Sequence, residues 1–287
     1  MLVGEGAKGL SPAALGRLKA QWSEEYQGWT RRSLEGKQYA YFWVDGIYTP
    51  LRESEDPKLC LLVIIGVMAD GTKEWVAIAD GLRESTESWL DVLRDLKERG
   101  LKGGPRLAVG DGALGFWSAL EQVYPDTVHQ RCWFHKMGNV LAALPKSLQG
   151  KAKADLQAIW MAPTRKAAEQ AFERFLKRYG AKYPKATEKL VKDRDALLAF
   201  FAFPAEHWMS LRTTNPIEST FATIRHRTDR AKGCVTRDTM LSFVYKLGLS
   251  GEKRWRRIRG FEYLAKVITG VKFKDGIEVT ESRKEAA

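Results

Sequence analysis

Three acidic residues in this 287-residue chain stand at the edges of three different candidate elements: Asp45 after YAYFWV, Asp111 after RLAV, and Glu218 inside NPIESTFATIRHRT. Brought together by a fold, three carboxylates form a hard-oxygen cage for a divalent cation and leave room for phosphate oxygens and a water. Two such ions about 4 Å apart stabilise both the attacking and the leaving oxygen of an in-line displacement, which is the chemistry of cutting or rejoining nucleic-acid phosphodiesters. Without a cation, carboxylates that close repel one another. Each acid also has a plainer reading. Asp-Gly recurs at 45–46, 70–71, 80–81, 111–112 and 275–276, and the pair is ordinary turn chemistry. Glu218 follows Asn215-Pro216, where the helix dipole favours an acid in the first turn. Position separates Asp45 and Asp111 from the other Asp-Gly pairs, because each ends an apolar strand expected at the centre of a sheet.

Other constellations are weaker. Gly110, Gly112 and Gly115 satisfy G-x-G-x-x-G between a strand and a helix, but Asp111 would aim a carboxylate at a pyrophosphate, and the preceding elements form no βαβ unit. Cys132 and His135 make a C-x-x-H pair with His129 upstream; no second cluster completes a tetrahedral zinc site, and packed or hydrogen-bonded side chains on a strand end are the better reading. The segments HWMSLRTTNPIEST and IRHRTDRAKG gather Trp208, Arg212, Thr213, Thr214, Asn215, Arg225, Arg227, Arg230 and Lys232. Guanidinium, ammonium and hydroxyl donors suit phosphate oxygens, and an aromatic ring can stack on an exposed base. The plain alternative is a solvated basic helix face with Trp208 in the core; proximity to Glu218 favours DNA contact.

The elements that must position these residues follow from patterning. YAYFWVDGIYTP, KLCLLVIIGVMA and KEWVAIADGLR are strand-like, with Asp70-Gly71 as a hairpin turn, which gives an antiparallel meander. STESWLDVLRDLKERG places Trp89, Leu90, Leu93 and Leu96 on one helical face and stops at Gly100. RLAVGDG reads as a short buried strand, ALGFWSALEQVY as a helix, and TVHQRCWFH as another strand. The order β-β-β-α-β-α-β is a mixed α/β layer. From about residue 136 to 214 the periodicity is helical, and after Pro216 a helix carries Glu218, Phe221, Ile224 and Arg225. At the start, Ser11-Pro12 suits an N-cap and first helical position.

Bulk composition fits a polyanion partner. Lys+Arg number 47 against 35 Asp+Glu, a net charge of +12, and 16 of the bases against 8 of the acids fall in residues 219–287. The longest apolar run, residues 59–69, has about half the length of a membrane-spanning helix and reads as a buried strand. Three scattered cysteines make no disulfide framework, so a reducing cytoplasm is expected, without membrane contact.

Four stretches in order, VDGIY around Asp45, VGDGALGFWSAL around Asp111, QRCWFHKMGNV, and LRTTNPIESTFATIRHRT around Glu218, resemble the Mutator-type transposases of bacterial insertion sequences. The resemblance implies an α/β fold with a ribonuclease H-like mixed sheet flanked by helices, and an all-helical insertion between the second Asp and the Glu. It implies a remnant of an N-terminal DNA-binding region at residues 1–37, core at 38–135, insertion at 136–214, a catalytic-Glu helix and basic remainder of the core at 215–272, and a disordered tail at 273–287. Asp45, Asp111 and Glu218 would be the catalytic, metal-binding acids, holding Mg2+ or Mn2+ as two ions, with Cys132 and His135 the C-x-x-H motif nearby. The partners implied are DNA, as terminal inverted repeats and target, and further copies of the chain, in the nucleoid-associated cytoplasm. Full-length members carry a helix-turn-helix region of which one helix, near residues 11–29, matches here. Two other functions remain open at this point: a non-catalytic DNA-binding remnant and a ribonuclease H-like nuclease.

Overall fold

Strict alternation of side chains is what the meander sequence supplies, and the sheet uses both of its faces. The computed structural model describes residues 11–51, 58–81, 83–112, 114–230 and 236–280. Three long strands, β1 (Tyr41–Pro50), β2 (Lys58–Val67) and β3 (Lys73–Gly81), pair antiparallel in sequence order. The turn between β2 and β3 falls at Asp70-Gly71, as expected. Gly71 takes φ +84°, and Asp70 accepts from the Thr72 backbone N–H at 2.9 Å. Two short strands, β4 (Leu107–Gly110) and β5 (Val128–Arg131), extend the sheet on the other side of β1, parallel to it and to each other, giving the order β3-β2-β1-β4-β5.

Helices α2 (Thr86–Glu98) and α3 (Leu114–Val123) connect β3 to β4 and β4 to β5. They cover one face through Trp89, Leu93, Leu96 and Phe116, packed on Phe42, Val44, Leu62 and Ile64. Helix α2 starts where Ser85 Oγ accepts from Ser88 N at 3.1 Å, and the chain leaves it at Gly100, φ +105°. The opposite face, built on Tyr41, Trp43, Leu61, Val63, Leu107 and Val109, is covered by the remaining helices. The first is α1 (Pro12–Thr30), capped by Ser11 and locked by Tyr26, whose hydroxyl donates to Ile78 O at 2.8 Å.

After β5 the chain turns helical: α4 (Trp133–Leu141), α5 (Lys146–Trp160), α6 (Arg165–Tyr179), α7 (Pro184–Val191), α8 (Arg194–Leu198) and α9 (Trp208–Leu211). The sequence reading carried a strand through Cys132 and His135, but the strand stops at Arg131. Cys132 is the N-cap residue of α4 and His135 lies in its first turn. Helix α10 (Asn215–Arg230) lies over β1 and packs against α11 (Arg237–Glu252); α12 (Leu264–Thr269) follows. A disordered tail was expected from residue 273. Instead β6 (Phe273–Lys274) and β7 (Ile277–Glu278) form a hairpin turning on Asp275-Gly276, with φ of 50° and 80°, while residues 281–287 lie outside the described ones.

One buried histidine ties this C-terminal part to the sheet. His207 is fully buried; its Nε2 donates to Gly260 O at 2.8 Å, which leaves Nδ1 to accept from Tyr41 Oη at 2.7 Å. Burial outweighs the carbonyl and holds its pKa below the ordinary 6.5. The unfolded chain therefore binds a proton that the folded one refuses, so the contribution of His207 to stability is complete above pH ~6.5 and is lost as pH falls below it. Denaturant titrations at pH 8 and pH 5.5 should show His207→Gln losing part of the acid sensitivity of the parent chain.

Candidate active site

Strand register brings the first two acids together. Trp43 pairs with Val109 across the parallel β1/β4 ladder, and Asp45 and Asp111 each lie two residues further on. Asp45 lies mid-way along β1 rather than at a strand end as expected, and Asp111 lies one residue past β4; with neighbouring strands about 4.8 Å apart, the pairing brings the two acids near enough for the charge of Asp111 to act on Asp45. Both continue the face of Tyr41, Trp43, Leu107 and Val109, the face covered by α10 and its Ile217, Phe221 and Ile224. Glu218 lies in the first turn of α10, near enough for its charge to act weakly on Asp45.

The electrostatics record this convergence. Asp45 has its pKa pushed up from 3.8 to about 7, first by burial, then by the charge of Asp111, then Glu84, with Glu218 contributing last. Glu84 is the fourth carboxylate, also raised to about 7, by burial and then by Asp111. The sequence reading missed it because it sits between two recognisable elements, one residue before the N-cap of α2. The available signal was Gly46, directly after Asp45: a side chain there would collide with the Glu84 carboxylate.

The main chain at Asp111 is held by two donors that also escaped the sequence reading. Trp117 Nε1 donates to Asp111 O at 3.0 Å and Arg131 Nη1 at 2.5 Å, with the Arg131 guanidinium 4.8 Å over the Trp117 ring. Arg131 in turn faces Asp193, Nε to Oδ1 at 3.5 Å.

Glu218 is held from the opposite side. His135 Nε2 lies 3.1 Å from Glu218 Oε1, and Thr214 Oγ1 donates to the same oxygen at 3.0 Å. Thr214 Oγ1 also lies 3.5 Å from Cys132 Sγ, which accepts from Thr214 N at 3.4 Å. Burial pushes the Cys132 thiol up, so it remains protonated. Among the described residues the one set of three His, Cys, Asp or Glu side chains within 4.8 Å of one another is Cys132, His135 and Glu218. The C-x-x-H pair therefore touches the third acid directly, through a helix start rather than a strand end.

The expected DNA-contact residues divide. Trp208 is 8% exposed, its Nε1 donates to Phe203 O at 2.8 Å, and it packs on Phe200 and Phe201, leaving no open ring face for a base. It serves instead as a platform: the Arg212 guanidinium lies 4.8 Å from the Phe200 ring and 5.6 Å from Trp208, with no carboxylate at ion-pair distance among the described residues. Burial lowers its pKa to about 10, so it keeps its charge at neutral pH. Thr214 is buried, Thr213 half-buried, and Asn215, Arg225 and Arg227 are exposed along α10. Arg230 ends that helix, and Lys232 lies outside the described residues.

Comparison with known proteins gives this arrangement its context. The chain is 56% identical over 284 residues to the transposase for insertion sequence element IST2 of Acidithiobacillus ferrooxidans, covering 96% of this chain and 93% of that one. It is 51% identical to the transposase for IS6120 of Mycolicibacterium smegmatis, covering 96% and 84%. More distantly, it is 30% identical to the transposase for IS905 of Lactococcus lactis, over 77% of this chain and 56% of that one. The family described as Transposase, Mutator family matches residues 3–257, a span that contains all four acids, the C-x-x-H pair and Arg212. With close relatives aligned over nearly its whole length, the chain belongs to the Mutator family of transposases.

Proposed function

We propose that this chain is a DNA transposase that cleaves strands at the ends of an insertion element and joins the freed 3′-hydroxyl to target DNA. Asp45, Asp111 and Glu218 would be the catalytic carboxylates. The observation that carries the reading is the parallel pairing of β1 with β4: two residues beyond its last pair, Trp43–Val109, Asp45 and Asp111 follow on the face covered by α10, with the charges of Asp111 and Glu218 acting on Asp45. The sheet, order β3-β2-β1-β4-β5 with its first three strands antiparallel, supports a ribonuclease H-like core, and the strandless run through α5–α9 supports a helical insertion between Asp111 and Glu218.

The donor set fits divalent cations. Asp45 and Asp111 present hard oxygens, and Asp45 is raised by burial and by the charges of Asp111, Glu84 and Glu218, a repulsion that a bound cation would relieve. Mg2+ or Mn2+, as two ions, would supply Lewis acidity and a more acidic water there. The residues of the chain then divide the remaining work. Asp45, held in the β1/β2 ladder, and Asp111, just past β4, orient the reacting centre; Arg131 and Trp117 hold the main chain at Asp111; Thr214 holds Glu218, with His135 beside it. Arg212, charged and without an acidic partner, is placed to receive a phosphate. Holding two element ends at once calls for more than one copy of the chain, and the substrate places it with the nucleoid in the cytoplasm. Among the described residues no helix is long and apolar enough to cross a membrane.

The test is incubation with DNA carrying the element ends and a supercoiled target, with and without Mg2+ or Mn2+. Metal-dependent nicks at the ends together with joined products are expected. Nicks without joined products would make the chain a nuclease, and DNA binding with neither product would make it a binding remnant.

A further inference from the structure

A groove between α10 and α11 starts one residue from Glu218. It has a volume of about 330 Å³ and no acidic residue among those lining it. One wall is the stripe Ser219, Thr223 and Arg227, spaced four residues apart on one side of α10 and therefore spanning about 12 Å along its axis. The other wall is Ser250 on α11 and Arg254 in the turn that follows it. Between them the floor is apolar, formed by buried Ile224 and Leu247 and half-buried Trp255. Trp255 is pinned by donation from Nε1 to Thr220 Oγ1 at 3.1 Å. At Gly251 an added Cβ would lie 3.4 Å from Thr220.

Resting on the transposase reading, we propose that this groove carries the sugar–phosphate backbone of the DNA strand leaving the active site. The chemistry of the groove matches that occupant part by part. Hydroxyls and guanidiniums along both rims are donors for phosphate oxygens, and an apolar floor receives deoxyribose. Arg227 and Arg254 are exposed and, among the described residues, have no carboxylate at ion-pair distance, so their charge is available. The nearest acid on α11, Glu252, is turned away, accepting from Trp75 N at 2.9 Å. Beyond Arg254 the chain continues as WRRIR, with Arg256 and Arg259 exposed, which prolongs the positive rim.

The experiment measures binding of a fluorescein-labelled DNA duplex in EDTA as salt rises from about 50 to 200 mM, where each phosphate contact contributes a slope of about 0.9 in log K against log salt. Arg227→Ala and Arg254→Ala are each expected to flatten the slope by about 0.9 and to weaken binding severalfold at low salt, and the double variant to flatten it by about 1.8. Lys153→Ala, an exposed base on α5, controls for net charge and should leave the slope unchanged. If the parent chain binds and the two arginine variants keep its slope, or if Lys153→Ala lowers it equally, the groove assignment is overturned while the transposase reading stands. If the parent chain does not bind DNA at all, both fall.

Discussion

Replacing Asp45 or Asp111 with Asn is expected to abolish strand cleavage and at the same time stabilise the metal-free protein. The catalytic half follows from losing a hard anionic ligand. Transition-state stabilisation by a bound cation amounts to several kcal/mol, so at least about a thousandfold loss of rate is expected, with DNA binding through the basic C-terminal part retained. The stability half follows from sign. Asp45 titrates near 7 when folded and near 3.8 when unfolded, so between those values the folded chain holds more protons, and rising pH costs stability. A shift of that size sets a ceiling of about 4 kcal/mol, part of which comes from the charges of Asp111 and Glu84. Thermal melts in EDTA should therefore show Asp45→Asn above the parent chain at pH 8, with the difference closing toward pH 4. Added Mg2+ should raise the parent chain and leave the variant nearly unmoved. A variant that still cleaves, or one no more stable than the parent at pH 8, contradicts the shared-cage account.

The opposed effects explain what a sequence can and cannot expose at such a site. Asp45 and Asp111 stood out because each follows an apolar run whose alternation fixes its face; that β1 continues past Asp45 to Pro50, so that Asp45 sits mid-strand rather than at a strand end, did not show. The meander and its turn at Asp70-Gly71 were legible for the same local reason. Glu84 was not: it belongs to neither a strand nor a helix, and its nearness to Asp45 depends on how the end of β3 folds back over Gly46. The Cys132–His135 spacing was visible, but its helix-start setting and its contact with Glu218 depend on where β5 stops. Trp208 and Arg212 were grouped by sequence as DNA contacts, yet packing assigns one to the core and the other to its surface. The tail failed differently, because Asp275-Gly276 closes a hairpin, fixed where Gly276 N donates to Phe201 O at 3.2 Å, a partner 75 residues away that no local pattern announces.

Asp193→Ala should give the largest loss of stability of any single substitution considered, about 3–5 kcal/mol. Asp193 stands at the junction of α7 and α8, but its carboxylate makes no cap for α8; it lies between two cations contributed by the site. Arg131 Nε approaches Oδ1 at 3.5 Å and Lys136 Nζ pairs with Oδ2, and the three side chains are 10%, 10% and 11% exposed. Exposed ion pairs contribute little, but removing the anion here leaves two buried positive charges facing each other, with the Lys189 carbonyl at 2.9 Å serving Lys136 and the Asp111 carbonyl serving Arg131. The consequence extends to chemistry, since the same Arg131 guanidinium donates to Asp111 O and lies on Trp117. Once it is no longer pulled toward Asp193, it holds the main chain at Asp111 less firmly. Denaturant unfolding should show the stability loss for Asp193→Ala, a smaller one for Asp193→Asn, and near-parent behaviour for Asp193→Glu. Cleavage assayed at a temperature where circular dichroism shows Asp193→Ala fully folded should still fall about tenfold or more, as expected for a misplaced catalytic group. A stability loss below about 1 kcal/mol would mean that the cluster behaves as an exposed pair, and parent-level cleavage by the folded variant would mean that Asp111 keeps its position without the clasp.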